Sequence, residues 1–194
     1  MDKRFANFTR GSARQLLAWM GSLVIALPLF AGGRPPANTP EHNHGSSEAA
    51  APAKLVQLVR EGTKKYIDVN VATAAGYGPF LGCISGSDHG AMGIHYVNGA
   101  LLNGTLDPAN PQALIYEPSH GKMQLVGVEF IVDAQTWLSA HGAPPVLENQ
   151  TFLLVGYPNR YGINSFFELH VWAWRDNPQG AFVDWNNDVT CENQ

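Results

Sequence analysis

Gln124-Leu-Val-Gly-Val-Glu-Phe-Ile-Val132 alternates in character along its length. In an extended chain successive side chains point to opposite faces. Val126, Val128 and Phe130 therefore share one face, and Leu125, Gly127, Glu129 and Ile131 the other. Two further runs show the same phase. In Met92–Asn98, Ile94 and Tyr96 face one way, and His95 and Val97 the other. In Ser165–Trp174, Phe167, Leu169, Val171 and Ala173 are all apolar, opposite Phe166, Glu168, His170, Trp172 and Trp174. Three segments thus each present an apolar face to a core and place their ionisable residues on the reverse.

Around these runs the chain punctuates itself. Ala113–Glu117 and Thr151–Val155 also read as strands, with a turn at Ser119–Lys122 and a break at His141–Pro145. Ala134–Ala140 reads as a short helix. Upstream, Leu55, Val59, Tyr66 and Val69 recur at helical spacing between Lys54 and Ala75, with Gly76 as a stop. A helix followed by mostly adjacent strands predicts an α+β domain. The expected architecture is an N-terminal amphipathic helix packed on an antiparallel β-sheet or partly open barrel.

The chemistry follows from the strand phase. If the strands are neighbours, His95, Glu129 and His170 converge, with Glu168 beside them. Two imidazoles and a carboxylate suit a divalent metal: Zn(II), non-haem Fe(II) or Mn(II), with Cu(II) less favoured. Glu168 is then a fourth ligand or a catalytic base. His89, in the Gly-rich loop 82–93, is a candidate mobile acid–base group at the pocket mouth. The competing reading is the wet side of an antiparallel sheet, where polar residues belong. Against it, Leu125, Ile131, Phe166, Trp172 and Trp174 share that face, and Gly127 leaves room beside Glu129. An enclosed charge needs a partner, which a metal or a Glu–His pair supplies.

Other residues carry weaker signals. Tyr96 and Asn98 are candidates to orient ligands, although Tyr96 also fits the core. His120 and His141 read as exposed. Glu117 is a candidate second carboxylate for Glu129, and Arg175 either clamps a substrate carboxylate or pairs with Asp176 or Asp184. Trp172, Trp174 and Trp185 fit a ring-stacking surface or plain packing. Gly-Ser-Asp-His-Gly at 86–90 is not a nucleophile elbow.

The chain has 194 residues with 14% charged, and Gly 20 and Pro 13 imply many turns. Lys3, Arg4, Arg10 and Arg14 precede an apolar run from Leu16 to Phe30 that is short for a membrane span. Residues 1–31 therefore read as a secretory signal peptide, with an uncleaved anchor as the alternative. Residues 32–52 read as a flexible linker holding His42 and His44, and residues 53–194 as a single domain. Removing residues 1–31 shifts the formal charge from -4 to -7. An acidic chain repels phosphate backbones, so nucleic acid is excluded as a partner, and no membrane contact is expected after cleavage. The only cysteines, Cys83 and Cys191, are expected to form a disulfide in an oxidising compartment, secreted or periplasmic.

Four blocks, Gly-Ile-His-Tyr-Val-Asn at 93–98, Leu-Val-Gly-Val-Glu-Phe at 125–130, Glu-Leu-His-Val-Trp-Ala-Trp at 168–174 and Asn-Pro-Gln-Gly-Ala-Phe-Val-Asp-Trp-Asn at 177–186, resemble a family of uncharacterised secreted bacterial proteins. The resemblance implies a bacterial source, export and one domain, and carries no activity, substrate or cofactor. The resulting expectation is a secreted or periplasmic protein with a divalent-metal pocket, a hydrolase or an oxidoreductase acting on a small molecule. The alternatives are a non-enzymatic small-ligand binding module and a structural envelope protein.

Overall fold

The computed structural model describes residues 53–192. The expected signal peptide at 1–31, the expected linker at 32–52 and the pair His42 and His44 lie outside the described residues. Helix α1 (Lys54–Thr63) buries Leu55, Val56, Val59 and Thr63. A 3-10 turn (Lys64–Ile67) and a second helix, α2 (Val69–Ala74), follow. The expected single helix is thus broken, and Asp68 is the local reason. Asp68 is extended and caps α2 by accepting from the Asn70 amide, as a short carboxylate does at a helix start. Gly62 lies against the 107–110 loop, so that a Cβ on it would come within 2.4 Å of the Ala109 Cα. Leu55, Val59 and Tyr66 are nonetheless buried and Val69 packs on the same core, as the spacing predicts.

The strands are β1 (Gly78–Ser85), β2 (Ala91–Val97), β3 (Ala113–Ser119), β4 (Lys122–Asp133), β5 (Val146–Leu147), β6 (Gln150–Thr151), β7 (Leu153–Val155) and β8 (Phe166–Val171). Helix α3 (Ala134–His141) follows β4 directly, capped by Asp133 and closed by Gly142 with a left-handed φ of 68°. Six strands form one curled antiparallel sheet in the order β1-β2-β3-β4-β8-β7, and β5 pairs with β6 separately. The fold is α+β. The predicted turn at 119–122 closes the β3–β4 hairpin, with Ser119 opposite Lys122. Strand β1 falls where the sequence reads as a Gly-rich loop. It lies at one edge of the sheet and its residues are mostly exposed, so no apolar alternation announces it.

The main core fills the helix side of the sheet. Leu55 and Val59 from α1 meet Leu114, Tyr116, Val128, Phe130, Leu169 and Val171 there, all nearly inaccessible. Tyr96 joins this side and meets Tyr116 edge-to-face at 4.9 Å. Burial of such side chains stabilises by about 1.5–3 kcal/mol each and is the main force holding helices to sheet.

Two assignments of facing change. The β3–β4 register slips so that Ile115 faces Gly127 while Tyr116 faces Leu125. Val126 is therefore an extra residue, a β-bulge, which inverts the alternation beyond it. Leu125 packs in the helix-side core, and Val126 packs on the reverse side with Ala91, Ile115, Trp172 and Val189. Strand β8 ends at Val171. Trp174 turns to the helix side and donates through Nε1 to the Thr63 hydroxyl at 3.0 Å.

The C-terminal tail closes the reverse side. Cys83 and Cys191 form the disulfide, with S–S 2.04 Å. Asn186 pairs with Ala91, and Glu117 Oε1 accepts from the Thr190 amide at 2.9 Å. Arg175 Nη2 donates to Glu117 Oε2 at 2.5 Å. Glu117 and Arg175 thus fasten the tail, rather than serving Glu129 or pairing with Asp176 or Asp184. The disulfide fits an extracellular or periplasmic location, and among the described residues no helix is long and apolar enough to cross a membrane.

Candidate metal centre

The ladder brings the predicted ligands together. Glu129 on β4 pairs directly with His170 on β8, and with Ala113 on β3. His95 on β2 pairs with Ile115, two residues along β3 from Ala113. Ala113 and Ile115 thus share the sheet face that carries His95 and Glu129. His95, Glu129, Glu168 and His170 are each 4% exposed or less, so none is the wet face of a sheet.

Their reactive atoms meet. His95 Nε2 lies 3.3 Å from His170 Nε2 and 3.3 Å from Glu129 Oε2. Donors bound to one tetrahedral ion at ~2.0–2.1 Å stand about 3.3 Å apart, so the two pairs that share His95 already have ligand spacing, and donor atoms of all three residues lie within 4.8 Å of one another. A second grouping shares His170. Its Nδ1 lies 3.7 Å from Asp184 Oδ1, and Glu168 completes the set. Both groups of three could hold a metal ion. Asp184 is not among the sequence-predicted ligands. It stands in the turn-rich tail, where no strand phase fixes its direction, and the one local signal is an acid placed between Val183 and Trp185.

The environment is poor in partners. His95 Nδ1, His170 Nδ1 and Glu168 Oε2 are buried without a hydrogen bond, and such groups are costly unless something satisfies them. Burial pushes the His95 imidazole down to about 4. Burial, with His95 beside it, holds His170 well below its ordinary range. Glu129 is raised well above the carboxylate range by burial, then by the charges of Glu168 and Asp184. Burial lifts Glu168 to about 7, opposed by its hydrogen bond with Glu129. Asp184 is raised by burial as well. At neutral pH both imidazoles are neutral, the form that ligates a metal, and a carboxyl proton occupies the Glu129–Glu168 pair.

A cavity of about 220 Å³ opens onto this cluster. His95 and Glu129 are its polar ends, and its walls are Phe80, Val97, Leu102, Ile131, Tyr161, Ile163 and Phe166. Tyr161 also borders a second hollow of about 250 Å³, lined by Glu168, Asp184, Arg160 and Trp185 among others. Tyr161 therefore stands between two approaches to the same carboxylate–imidazole cluster. The sequence signals nothing at Tyr161, which sits in the loop between β7 and β8.

The remaining candidates sit elsewhere. His89 is exposed, its ring 6.4 Å from Trp185, and is not grouped with the buried ligands. His120 is at the hairpin tip with φ 50°, and His141 stacks on Trp137 at 3.9 Å. Asn98 bonds the Ala75 carbonyl and caps a 3-10 turn. Trp172 is 2% exposed and donates to the Val183 carbonyl at 2.6 Å, so it packs against His170 rather than offering a stacking surface. Its ring, not empty space, lies over Gly127, where a Cβ would meet Trp172 Cε3 at 3.2 Å and the Val171 carbonyl at 2.9 Å. Gly127 therefore leaves no open space beside Glu129. Comparisons with known protein families, curated proteins and solved structures find no match to this chain.

Proposed function

We propose that His95, Glu129 and His170 bind a divalent metal ion, with Glu168 as a fourth ligand or base, in a secreted or periplasmic protein. The observation that carries this reading is the 3.3 Å spacing of His95 Nε2 from both His170 Nε2 and Glu129 Oε2. The unpartnered Glu168 Oε2 supports it, since a buried oxygen without a donor is what a cation satisfies. Zinc, iron(II) and manganese(II) all suit this donor set, with copper(II) less favoured. A bound ion of this kind activates water or polarises a substrate oxygen, which places the reaction among hydrolytic or oxidative ones. Within the chain, Asp184 Oδ1 stands 3.7 Å from the unbonded His170 Nδ1, the place from which a carboxylate orients a ligating imidazole once the two close to hydrogen-bond distance. Glu168 holds a proton near neutrality and passes it to or from a group bound above Glu129.

A second reading, non-catalytic capture of a small ligand, is favoured by the largely apolar cavity. A purely structural envelope role gives no reason for that cavity. The disulfide and the resemblance to secreted bacterial proteins agree with export. Metal analysis of the exported chain decides the main reading. We expect close to one zinc, iron or manganese per chain in the parent, and losses of about 100-fold in affinity in His95→Ala and His170→Ala. A parent that binds no divalent ion overturns it.

A further inference from the structure

We propose that the cavity over His95 and Glu129 receives the apolar body of a small organic molecule, whose single oxygen head meets those two side chains. Apart from these two residues, the walls carry aliphatic and aromatic side chains only. Val97 and Ile131 come from the same sheet face as the ligands, Phe80 from β1, and Ile163 from the loop before β8. Leu102 and Ile163 are 49% and 41% exposed. An apolar pocket is thus rimmed by half-exposed apolar side chains, and its polar groups, each 4% exposed, belong to the metal-binding set. Apolar surface left against water in this way is favourably covered by an apolar ligand.

Size sets the class. An apolar cavity of ~150 Å³ takes up benzene, so a volume of about 220 Å³ accommodates roughly eight or nine carbons by the same ratio. The fit is a medium-length aliphatic chain, or one aromatic ring with a short chain. A polar, many-hydroxyl molecule such as a sugar is poorly matched, because beyond His95 and Glu129 the walls offer it only the Tyr161 hydroxyl, which already donates to Met92 Sδ at 3.7 Å. The head group follows from the floor. Three carboxylates (Glu129, Glu168 and Asp184) surround the two imidazoles, so an anionic head requires the cation and a neutral hydroxyl does not. The anionic half of the inference therefore rests on the metal reading above, whereas the apolar half stands without it.

Two titration series on the exported chain separate these halves. The first uses primary alkanols from butanol to decanol on the metal-free protein. Affinity should rise about fourfold per methylene, the value of one buried CH₂, and level off near eight carbons. Ile131→Phe, which fills the cavity, should flatten the rise. Leu102→Ser, at the exposed rim and so without risk to folding, should weaken octanol at least threefold. Affinity independent of chain length overturns the proposal. The second series uses alkyl hydroxamates on zinc-loaded protein, with the expectation that octanohydroxamate binds at least tenfold more tightly than octanol and loses that advantage on chelation. Protein that takes up zinc yet shows a normal alkanol series and no zinc-dependent gain overturns the anionic head placement alone, whereas protein that cannot be loaded with zinc overturns the metal reading; either result leaves the apolar cavity established.

Discussion

His170 Nε2 stands 3.3 Å from His95 Nε2 although two strands of the sheet separate the residues. Two imidazoles at that distance, both buried, cannot both be charged, and burial already holds His95 to about 4. Each therefore keeps a neutral ring at neutral pH. The acids beside them do the reverse, with Glu129 raised and Glu168 lifted to about 7. An incoming cation must displace a carboxyl proton, not an imidazole proton. Zinc affinity should therefore climb as pH rises from the ordinary carboxylate range through about 7, where Glu168 gives up its proton, and go on climbing while Glu129, raised by burial, still holds one. Calorimetric titration at pH 6 in two buffers of different ionisation heat should report proton release into solution. Identical heats in the two buffers contradict this account.

Asp184 Oδ1 lies 3.7 Å from His170 Nδ1. A carboxylate behind a ligating imidazole fixes its tautomer and ring angle, and its loss typically costs about 10–100-fold in metal affinity. Asp184→Asn should therefore weaken zinc binding by about that factor. Because burial disfavours the ionised form of Asp184, the metal-free variant should be no less stable than the parent. Competition with a chromogenic chelator measures the first effect, and urea unfolding with chelator present measures the second. Unchanged zinc affinity removes Asp184 from the site.

The tail is fastened by one ion pair whose acid is the buried partner, Glu117 at 6% side-chain exposure against 33% for Arg175. Losing the base leaves a carboxylate stranded. Removing one partner of a fully buried pair costs about 3–5 kcal/mol; with Arg175 one-third exposed, Arg175→Ala should cost about 2–3 kcal/mol. Adding Glu117→Gln to that variant should recover part of the loss, since the stranded charge disappears. Urea unfolding of the single and double variants reads this directly. A double variant less stable than Arg175→Ala would show that Glu117 contributes through its bond to Thr190 instead.

Cys83 and Cys191 close a loop with a sequence separation of 108. In the chain-entropy picture such a cross-link stabilises by about 4–5 kcal/mol. The Cys83→Ser, Cys191→Ser double variant should lose about that much, and its tail amides, Thr190 among them, should exchange with solvent much faster than those of β4. A loss below about 1 kcal/mol would mean that the non-covalent contacts of the tail, the Asn186–Ala91 pairing, Glu117 and Val189, hold it without the disulfide.

The legible part of this molecule was whatever strand phase controls. Glu129, His170 and Glu168 lie on central strands that are apolar on one side, so their common face follows from counting by two. His95 follows for the same reason. Phase fails where the backbone departs from it. The bulge at Val126 exchanges the faces of Leu125 and Val126 while leaving the written alternation intact. The end of β8 at Val171 frees Trp174 to reach Thr63. Asp184 and Tyr161 lie in loops whose direction is set by tertiary contacts, and β1 is an edge with little apolar surface to bury. The partner of Arg175 was hidden because Glu117, on β3, is remote in sequence and near only in the folded chain.

Glu168 offers a test of the site without any metal. Its folded-state value near 7 stands above the ordinary 4.5. Between those values the folded chain keeps a proton that the unfolded chain releases, so stability falls as pH rises from about 4.5 to about 7 and is flat on either side. With 1.36 kcal/mol per unit, the loss attributable to Glu168 is at most about 3 kcal/mol. Glu168→Gln cannot ionise and should escape it. In the presence of chelator, the variant and the parent should unfold with similar free energies at pH 4.5. By pH 8 the variant should be the more stable, by up to about 3 kcal/mol. His95 and His170 act alike in both proteins, whereas Glu129, which shares a proton with Glu168, titrates differently in the variant, so the difference reports the carboxyl pair rather than Glu168 by itself. A difference that does not change between pH 4.5 and pH 8 would place Glu168 in contact with water rather than sealed beneath the sheet face.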